Sequence, residues 1–480
     1  MRLPLTACLL FVLPLAARAA DAPVAVPAAA PAEGGYAIVV SKATQADPAW
    51  APVVAALKAR HPQAQVIAYE TKLTETLPTL SAQMPRYTAF VATPKEAGRA
   101  FVAEASRLAR HFNADPYTDT CWGIVTGWDG ANALEMAQCP GLTMNVASGN
   151  TAFETRCVSA GVWYDELKAG LQVETKKDGS VERRQGGRDS TAGVVQGIEN
   201  ADLLIASSHG SERSWQLGHV YRNGFIVSKN GELVGKDSEG KILKVEGGHE
   251  KAWMPVGNCL VGHIDGPDAM ALAMMKAGKV RAAAGYTVPT WYGYAGWGLL
   301  DYFVEQPGRY TYAEAVRANR LALEQRLYAA WPKAAEMNFG EDVNLGKPAT
   351  PGLTEQDGAG LLYDRDVLAF YGDPAAQVVM PEKWRAYEQK LEKAANGWTL
   401  TITGNAGAES FATVNNNGSQ RGGRPIVQFL PQAIDPAKVK VVEGAEWKPV
   451  FGPDWVLVPR PEHYKEGEVV RVGWVVEDGK

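Results

Sequence analysis

The chain has little that would tie it to nucleic acid or to a membrane. Its 48 lysine and arginine residues are outnumbered by 53 aspartate and glutamate residues, which leaves a net charge of −5. Because the basic residues form no long run, no surface for nucleic acid is expected. After residue 20 no stretch approaches the roughly 18 apolar residues of a membrane-spanning helix, so no membrane span is expected in the mature chain.

Cysteine is scarce, and common metal motifs are missing. Four of the five cysteines lie beyond residue 20, namely Cys121, Cys139, Cys157 and Cys259. If one of these thiols is kept for chemistry, at most one disulfide forms, and the sequence does not select the pairing. Asp115, Asp119 and Asp129 precede Gly130 without the spacing of an EF-hand, so they are interpreted as solvated turn acids. A structural calcium is therefore unsupported, and no cofactor is required.

The amino terminus has the pattern of an exported protein. Residues 1–20 combine Arg2, an apolar stretch and small residues up to Ala20, as in a secretory signal peptide. Residues 21–34 are rich in alanine and proline and are expected to form a flexible linker. The mature protein is therefore expected in the periplasm, at the cell surface or in the medium.

The rest of the chain divides by pattern into three parts. Apolar runs alternate with amphipathic segments in residues 35–150, an amino-terminal α/β subdomain, and again in residues 151–395, the expected catalytic subdomain. This alternation predicts a mostly parallel sheet flanked by helices. Residues 396–480 contain short strand-like runs separated by Asn, Gly and Pro, which predicts an all-β, immunoglobulin-like sandwich.

Two apolar runs in the middle of the chain end in reactive side chains. The run 201–207 leads to His209 and Gly210, and the run 253–258 leads to Cys259. Because ligands meet the carboxyl ends of strands in an open α/β sheet, His209 and Cys259 are expected to face each other if these strands are neighbours. An imidazole can take the proton of a thiol and leave the nucleophilic thiolate. Their separation is also that of histidine and cysteine in caspases, about 50 residues.

The residues around this pair resemble the histidine and cysteine blocks of the gingipain-like cysteine peptidases of the caspase clan. The histidine block is SHGS at 208–211, followed by Trp215, and the cysteine block is NCLVG at 258–262. Segments 118–123 and 370–374 match more loosely. The resemblance spans residues 36–480 and implies a caspase-like α/β sheet followed by a β-sandwich.

The resemblance also implies a role for each matched residue. Cys259 would be the nucleophile and His209 the general base and acid, with the backbones of Gly210 and Cys259 forming the oxyanion hole. Asp119 would lie on the floor of the pocket for the side chain before the scissile bond, and Trp291 on its wall. A carboxylate there implies a preference for arginine or lysine. The expected function is therefore hydrolysis of protein or peptide substrates.

Three other interpretations use some of the same residues. Zinc is suggested by the group His209, His219, His249, Cys259 and His263, although its spacing fits no closed zinc pattern. A gingipain-like fold without catalysis would make the chain a surface binding protein. An acyl group on Cys259 could also pass to an amine rather than to water, as in a sortase-like transpeptidase, and the sequence does not separate transfer from hydrolysis.

Overall fold

The computed structural model describes residues 34–338, 344–394, 396–414, 420–461 and 464–477. The predicted signal peptide, and the predicted linker apart from its last residue, lie outside the described residues. Within these ranges no helix has the length and apolar character needed to cross a membrane.

The amino-terminal part of the chain alternates strands and helices. Its elements are β1 (Tyr36–Ser41), α1 (Lys42–Ala46), α2 (Ala51–Arg60), β2 (Gln65–Tyr69), α3 (Leu77–Gln83), β3 (Tyr87–Val91), α4 (Arg99–Leu108), β4 (Cys121–Val125) and α5 (Gly130–Gln138). The four strands lie in the order β2-β1-β3-β4, and every neighbouring pair is parallel. β1, β3 and β4 are buried along their whole length, which explains their continuous apolar runs.

The middle of the chain adds most of the remaining strands. Its elements are β5 (Gly141–Thr143), β6 (Val146–Gly149), β7 (Ala160–Tyr164), β8 (Leu171–Thr175), β9 (Val181–Gln185), α6 (Thr191–Asn200), β10 (Leu203–Ala206), β11 (Ser214–Gln216), β12 (Phe225–Lys229), β13 (Glu232–Lys236), β14 (Ile242–Lys244), β15 (Lys251–Pro255), α7 (Met270–Lys276), β16 (Val280–Tyr286), α8 (Tyr294–Leu299), α9 (Tyr312–Ala330), α10 (Glu355–Arg365), β17 (Leu368–Tyr371) and β18 (Gln377–Val379). A π-helical turn, Leu300–Val304, follows α8. The long helix α9 begins with the predicted capping box of Thr311 and Glu314.

One sheet of twelve strands joins both parts, in the order β2-β1-β3-β4-β17-β16-β15-β10-β6-β7-β8-β9. β17 is parallel to β4 and antiparallel to β16, so two parallel blocks run in opposite directions. The edge strands β8 and β9 are each antiparallel to the strand before them. In β15, Met254 packs in the core shared with α9, whereas Trp253 packs in the core shared with α7. The predicted mostly parallel sheet with helices on its faces is confirmed.

The segment between the histidine and cysteine blocks forms a sheet of its own. Strands β11 to β14 are antiparallel and in sequence order. The hairpin predicted at Asn230 and Gly231 is present, and both residues have positive φ angles, 50° and 75°. This backbone suits the tight turns of β-hairpins. The insert is therefore an ordered sheet, and its residues Ile226 and Leu233 share a core with residues of α6 and α7.

The carboxyl-terminal part is all-β, as predicted. Its strands are β19 (Tyr387–Ala394), β20 (Gly397–Gly404), β21 (Thr413–Val414), β22 (Arg421–Gly422), β23 (Ile426–Phe429), β24 (Val439–Glu443), β25 (Val450–Phe451), β26 (Trp455–Val458) and β27 (Val469–Val476). They form antiparallel sheets in the orders β19-β20-β27-β24, β23-β26-β25 and β21-β22. Leu400 and Val472 of the first sheet share a core with Ile426 and Val456 of the second. The sheets therefore pack as a sandwich, and its immunoglobulin-like topology stays a prediction.

Candidate active site

The two strands that lead to His209 and Cys259 are neighbours. β10 and β15 are parallel, and their last paired residues are Ala206 and Pro255. The ladder continues for one more bond, from Val256 N–H to the Ala206 carbonyl, at 2.8 Å. Both chains therefore leave the same edge of the sheet side by side, at the carboxyl ends of the strands.

Beyond the strands, the two blocks stay in contact through Gly210. A Cβ atom at this position would lie 2.7 Å from the Cys259 carbonyl oxygen, which is too close for any side chain. The buried Asn258 side chain adds a second link, because its Nδ2 donates to the Ser208 carbonyl at 3.1 Å. The close packing of the two blocks therefore requires a glycine at position 210 and an amide side chain at Asn258.

The backbone is strained next to each reactive residue. Ser208, just before His209, has a φ of 98°, and Leu260, just after Cys259, has a φ of 61°. Residues with a Cβ rarely adopt such angles, and they persist where the surrounding structure holds them in place. Such strain is concentrated at functional sites.

The thiol of Cys259 lies against the segment that follows β16. Its Sγ accepts a hydrogen bond from Thr290 N–H at 3.1 Å and donates to the Thr290 carbonyl at 3.7 Å. In the described ranges no hydrogen bond joins Cys259 to His209. The structure therefore gives the thiol its hydrogen bonds with Thr290 and gives the imidazole its stack on His219.

Cys259 differs from the other described cysteines in its exposure. All four are unpaired, but only Cys259 is not buried. Burial raises the pKa of Cys121 to about 12 and that of Cys139 to about 11, and it also raises the pKa of Cys157. These three thiols are therefore poor nucleophiles, because the thiolate is the reactive form.

Several backbone N–H groups at the two strand ends have no acceptor among the described residues, and those of Gly210 and Cys259 are among them. Gly210 pairs with Trp215 in an isolated antiparallel β-bridge. The residues next to Gly210 make the hydrogen bonds of this bridge, including Ser211 N–H to the Ser214 carbonyl at 2.8 Å. Free donors next to a nucleophile are what an oxyanion hole requires.

The His209 ring is exposed and lies on a second histidine. The ring centroids of His209 and His219 are 4.4 Å apart, with 26° between the ring planes. His219 N–H donates to the Glu166 carbonyl at 2.7 Å, which holds this part of the insert against the loop after β7. Sequence analysis placed His219 only among potential zinc ligands.

A cleft of about 220 Å³ is lined by His219 and by sequence neighbours of the two reactive residues, but neither His209 nor Cys259 itself lines it. Ser207, Ser208 and Gly257 form its floor at the strand ends, and Thr290 to Gly293 with Trp297 form one wall. Trp291, the predicted wall residue, is 48% exposed. The Cys259 thiol thus lies behind Thr290, next to a cleft with an aromatic wall.

The acid that lines this cleft is Glu166, which sequence analysis missed. Its side chain is buried, and Oε1 accepts from Thr151 Oγ at 2.8 Å. Burial, only partly offset by the Thr151 hydrogen bond, raises the pKa of Glu166 to about 7. No sequence pattern distinguishes Glu166 from the neighbouring Asp165. The place of Glu166 in the cleft could therefore be found only from the fold.

The histidine strand end is held by Asn150, another residue that sequence analysis missed. Its Nδ2 donates to the carbonyls of Ser207 and Leu217 at 2.8 and 3.1 Å. Its Oδ1 accepts from Ser207 N–H and from Trp215 Nε1. Asn150 follows β6, which pairs with β10. The sequence feature that could have indicated its role is a polar residue directly after a third buried strand.

Asp119 is not among the residues that line this cleft. Asp119 precedes β4, and β17 and β16 separate β4 from β15, which corresponds to about 14 Å at the usual strand spacing. Its carboxylate accepts from Phe112 N–H at 2.9 Å and from Asn113 Nδ2 at 2.7 Å. Burial and the nearby Asp115 raise the pKa of Asp119 to about 8. The acid closes the loop after α4 and does not line the cleft beside Cys259.

Of the histidines in the zinc interpretation, His209 and His219 stack on each other, whereas His249 and His263 have acidic partners elsewhere. His249 pairs with Asp202 at 3.0 Å, and His263 Nδ1 lies 3.6 Å from Glu212. Among the described residues, no three histidine, cysteine, aspartate or glutamate side chains are grouped so that they could hold a metal ion.

The comparisons with known proteins give two similar solved structures. No family model and no curated protein matches the chain. The crystal structure of the Arg-specific cysteine proteinase gingipain R is 10% identical, covers 90% of this chain and 92% of its own, and has a TM-score of 0.43. A structure described as a protease is 10% identical, covers 92% of this chain and 97% of its own, and has a TM-score of 0.39. At these values the similarity decides nothing about activity.

Proposed function

We propose that this protein is a cysteine peptidase that cleaves peptide bonds with Cys259 and His209. The observation that carries the proposal is the junction of the two strand ends, where Gly210 packs on the Cys259 carbonyl. Further support comes from a half-buried thiol at one strand end, an exposed imidazole at the neighbouring strand end, and N–H groups of Gly210 and Cys259 that have no acceptor among the described residues.

The proposed reaction follows from these groups. His209 takes the proton of the Cys259 thiol, and the thiolate attacks the substrate carbonyl carbon. The N–H groups of Gly210 and Cys259 stabilise the oxyanion that forms. As the C–N bond breaks, His209 returns the proton to the leaving amine, and water then hydrolyses the thioester.

The preference for arginine or lysine is a second part of the proposal, and Glu166 replaces Asp119 as its basis. Glu166 is the acid that lines the cleft, and within the described ranges Thr151 is the one side chain with a hydrogen bond to its carboxylate. A basic substrate side chain would supply the missing charge and hold Glu166 ionised.

Matched variants test the activity. Cys259→Ala and His209→Ala are expected to lower kcat/KM on a fluorogenic peptide library by at least about 1000-fold while circular dichroism stays unchanged. Cys139→Ala and His249→Gln, which alter residues outside the cleft, should retain activity. Activity of Cys259→Ala equal to that of the unaltered protein would end the proposal. Adding a free amine to the assay shows by mass spectrometry whether the acyl group goes to the amine or to water.

A further inference from the structure

A second cleft lies between the π-helical turn Leu300–Val304 and the sandwich. Its volume is about 540 Å³, and small-ligand sites span about 300 to 1000 Å³. Asp301 and Glu305 line it from the side of the turn, and Arg421 and Arg424 line it from the side of the sandwich. Among the described residues, none lines both this second cleft and the candidate active-site cleft. The second cleft is therefore a separate site, on a kind of helical turn that is frequent at functional sites.

Asp301 presents a carboxylate oxygen that no group of the described chain uses. Its Oδ2 accepts from Arg424 Nε at 2.7 Å and from Gly422 N–H at 3.0 Å. Its Oδ1 is buried and has no hydrogen-bond partner among the described residues, and Asp301 as a whole is only 7% exposed. Because an unpaired buried acceptor is costly, a donor from outside the chain is expected here.

The two arginines of the second cleft present unused donors. Nη2 of the buried Arg424 donates to the Gln420 carbonyl at 2.7 Å, whereas its Nη1 has no partner in the described ranges. The same holds for Nε of Arg421, which contacts Glu305 through another nitrogen. The second cleft thus offers one free acceptor and two free donors, all on ion pairs that the fold already holds.

The charges that line the second cleft cancel. Four acids and four arginines line it, and those not named above are Glu154, Glu409, Arg156 and Arg183. Burial raises the pKa of Glu305 to about 7, so the balance holds to within one charge near neutral pH. A phosphate or a polyamine would therefore meet as much repulsion as attraction. No group of side chains in the described part of the chain is arranged to hold a metal ion.

The rest of the lining is aromatic and includes Tyr302, Trp384 and Tyr387. An uncharged ligand with donors, acceptors and an apolar side chain matches such a site. A peptide group has this character, since it carries one N–H, one carbonyl and no charge.

We propose that the second cleft binds a short uncharged peptide, with N–H groups directed at Asp301 Oδ1 and carbonyls directed at Arg424 and Arg421. The peptide is held apart from Cys259, so its binding does not depend on the proposed peptidase activity.

Photo-cross-linking locates the site. The probe is acetyl-glycyl-(p-benzoylphenylalanyl)-glycinamide, added to the Cys259→Ala protein so that the proposed nucleophile cannot cleave it. Mass spectrometry is expected to find the cross-link at Tyr302 or Trp384, with probe concentrations of up to about 1 mM. A cross-link found only at Trp291 or Trp297, or none at this concentration, would overturn the inference.

Two substitutions test the contacts. Asp301→Asn keeps an oxygen for Arg424 but turns the unused acceptor into an NH₂ donor, and it should weaken probe binding by about tenfold. Ala406→Trp fills part of the second cleft from a half-buried position and should abolish the cross-link while circular dichroism stays unchanged. The matched control Ala437→Trp, exposed on the same sandwich and outside the second cleft, should leave the cross-link intact. Unchanged binding in Ala406→Trp would contradict the site even if Asp301→Asn failed to fold.

Competition tests the charge balance. The peptide acetyl-glycyl-phenylalanyl-glycinamide should displace the probe, whereas succinate and putrescine at the same concentration should not. Displacement by either ion as effective as that by the neutral peptide would overturn the assignment of an uncharged ligand.

Discussion

At the level of single side chains, Glu166 and Asp119 are both buried acids in loops at the edge of the sheet. Asp119 has two hydrogen-bond donors from its own loop, so its carboxylate is satisfied without a ligand. Glu166 has one side-chain donor and lines the cleft. The sequence around Asp119 could not show which of the two acids lines the cleft, because the position of Asp119 depends on the strand with which β4 pairs.

Cleavage of basic and neutral peptides tests which of the two acids, Glu166 or Asp119, sets the preference for arginine or lysine. Glu166→Gln is expected to lower kcat/KM for peptides with arginine or lysine before the scissile bond by about 10- to 100-fold, because a charge-assisted contact is lost. Peptides with a neutral residue there should be cleaved at an unchanged rate. Asp119→Asn serves as the matched control and should not alter this ratio. An equal loss for basic and neutral peptides in Glu166→Gln would contradict the assignment.

At the level of elements, the helix α8 follows the aromatic segment of the cleft wall, contributes Trp297 to that wall and is anchored by Asp364. Asp364 Oδ2 accepts from Ala295 N–H at 2.9 Å and from the Tyr286 hydroxyl at 3.1 Å. Tyr286 in turn accepts from Gly296 N–H at 2.8 Å. The amino end of α8 is thus fixed to the end of β16 and to α10.

Asp364 makes stability depend on pH. Burial raises the pKa of Asp364 to about 7, so the folded state holds the proton more tightly than the unfolded chain does. The stability contributed by this group is present below about pH 4 and is lost as pH rises towards 7. Glu166 and Glu305, with pKa values raised to about 7, act in the same sense, whereas the lowered pKa values of His219 and His263 act against it.

Asp364→Asn tests this dependence. The amide oxygen can accept both hydrogen bonds and carries no charge, so the variant is expected to gain unfolding temperature relative to the unaltered protein at pH 8 but not at pH 4. Thermal unfolding across this pH range gives the measurement. A variant that loses stability equally at all pH values would show that the carboxyl group acts through its hydrogen bonds alone.

The sequence allowed the strands around the site to be predicted, but not the order of the strands in the sheet. The apolar runs before His209 and Cys259 were recognisable as buried strands, and the two residues do lie at neighbouring strand ends. The insertion of β17 between β4 and β16 was not predictable, because strand pairing over such a separation leaves no local pattern. Asn150, Glu166 and His219 were missed for the same reason, since each reaches the site through a contact between distant segments.

At the level of the whole molecule, the sandwich is attached to the α/β sheet through buried charges. The fully buried Arg317 of α9 makes two hydrogen bonds to Asp454, at 2.6 and 2.7 Å. The same guanidinium donates to the carbonyls of Thr118 and Asp119, just before β4. The carboxyl-terminal part is therefore joined to the loop before β4 and to the helix that covers the sheet.

Removing one partner of this pair should destabilise the whole chain. Asp454→Ala leaves a buried guanidinium without its counter-charge and is expected to cost about 3 kcal/mol in the free energy of unfolding. Glu443→Ala breaks the exposed pair with Arg471 and should cost at most about 1 kcal/mol. Chemical denaturation of both variants compares them directly. Equal effects would mean that the sandwich is only loosely attached.

The most direct test of the site is covalent labelling by an acyloxymethyl-ketone peptide probe, located by mass spectrometry. The probe is expected to alkylate Cys259 and to leave the buried Cys121, Cys139 and Cys157 unmodified. The label should be lost in His209→Ala, because the imidazole that activates the thiol is gone. Labelling of Cys259 at the same rate without His209, or no labelling of Cys259 with any probe side chain, would contradict a Cys259–His209 peptidase.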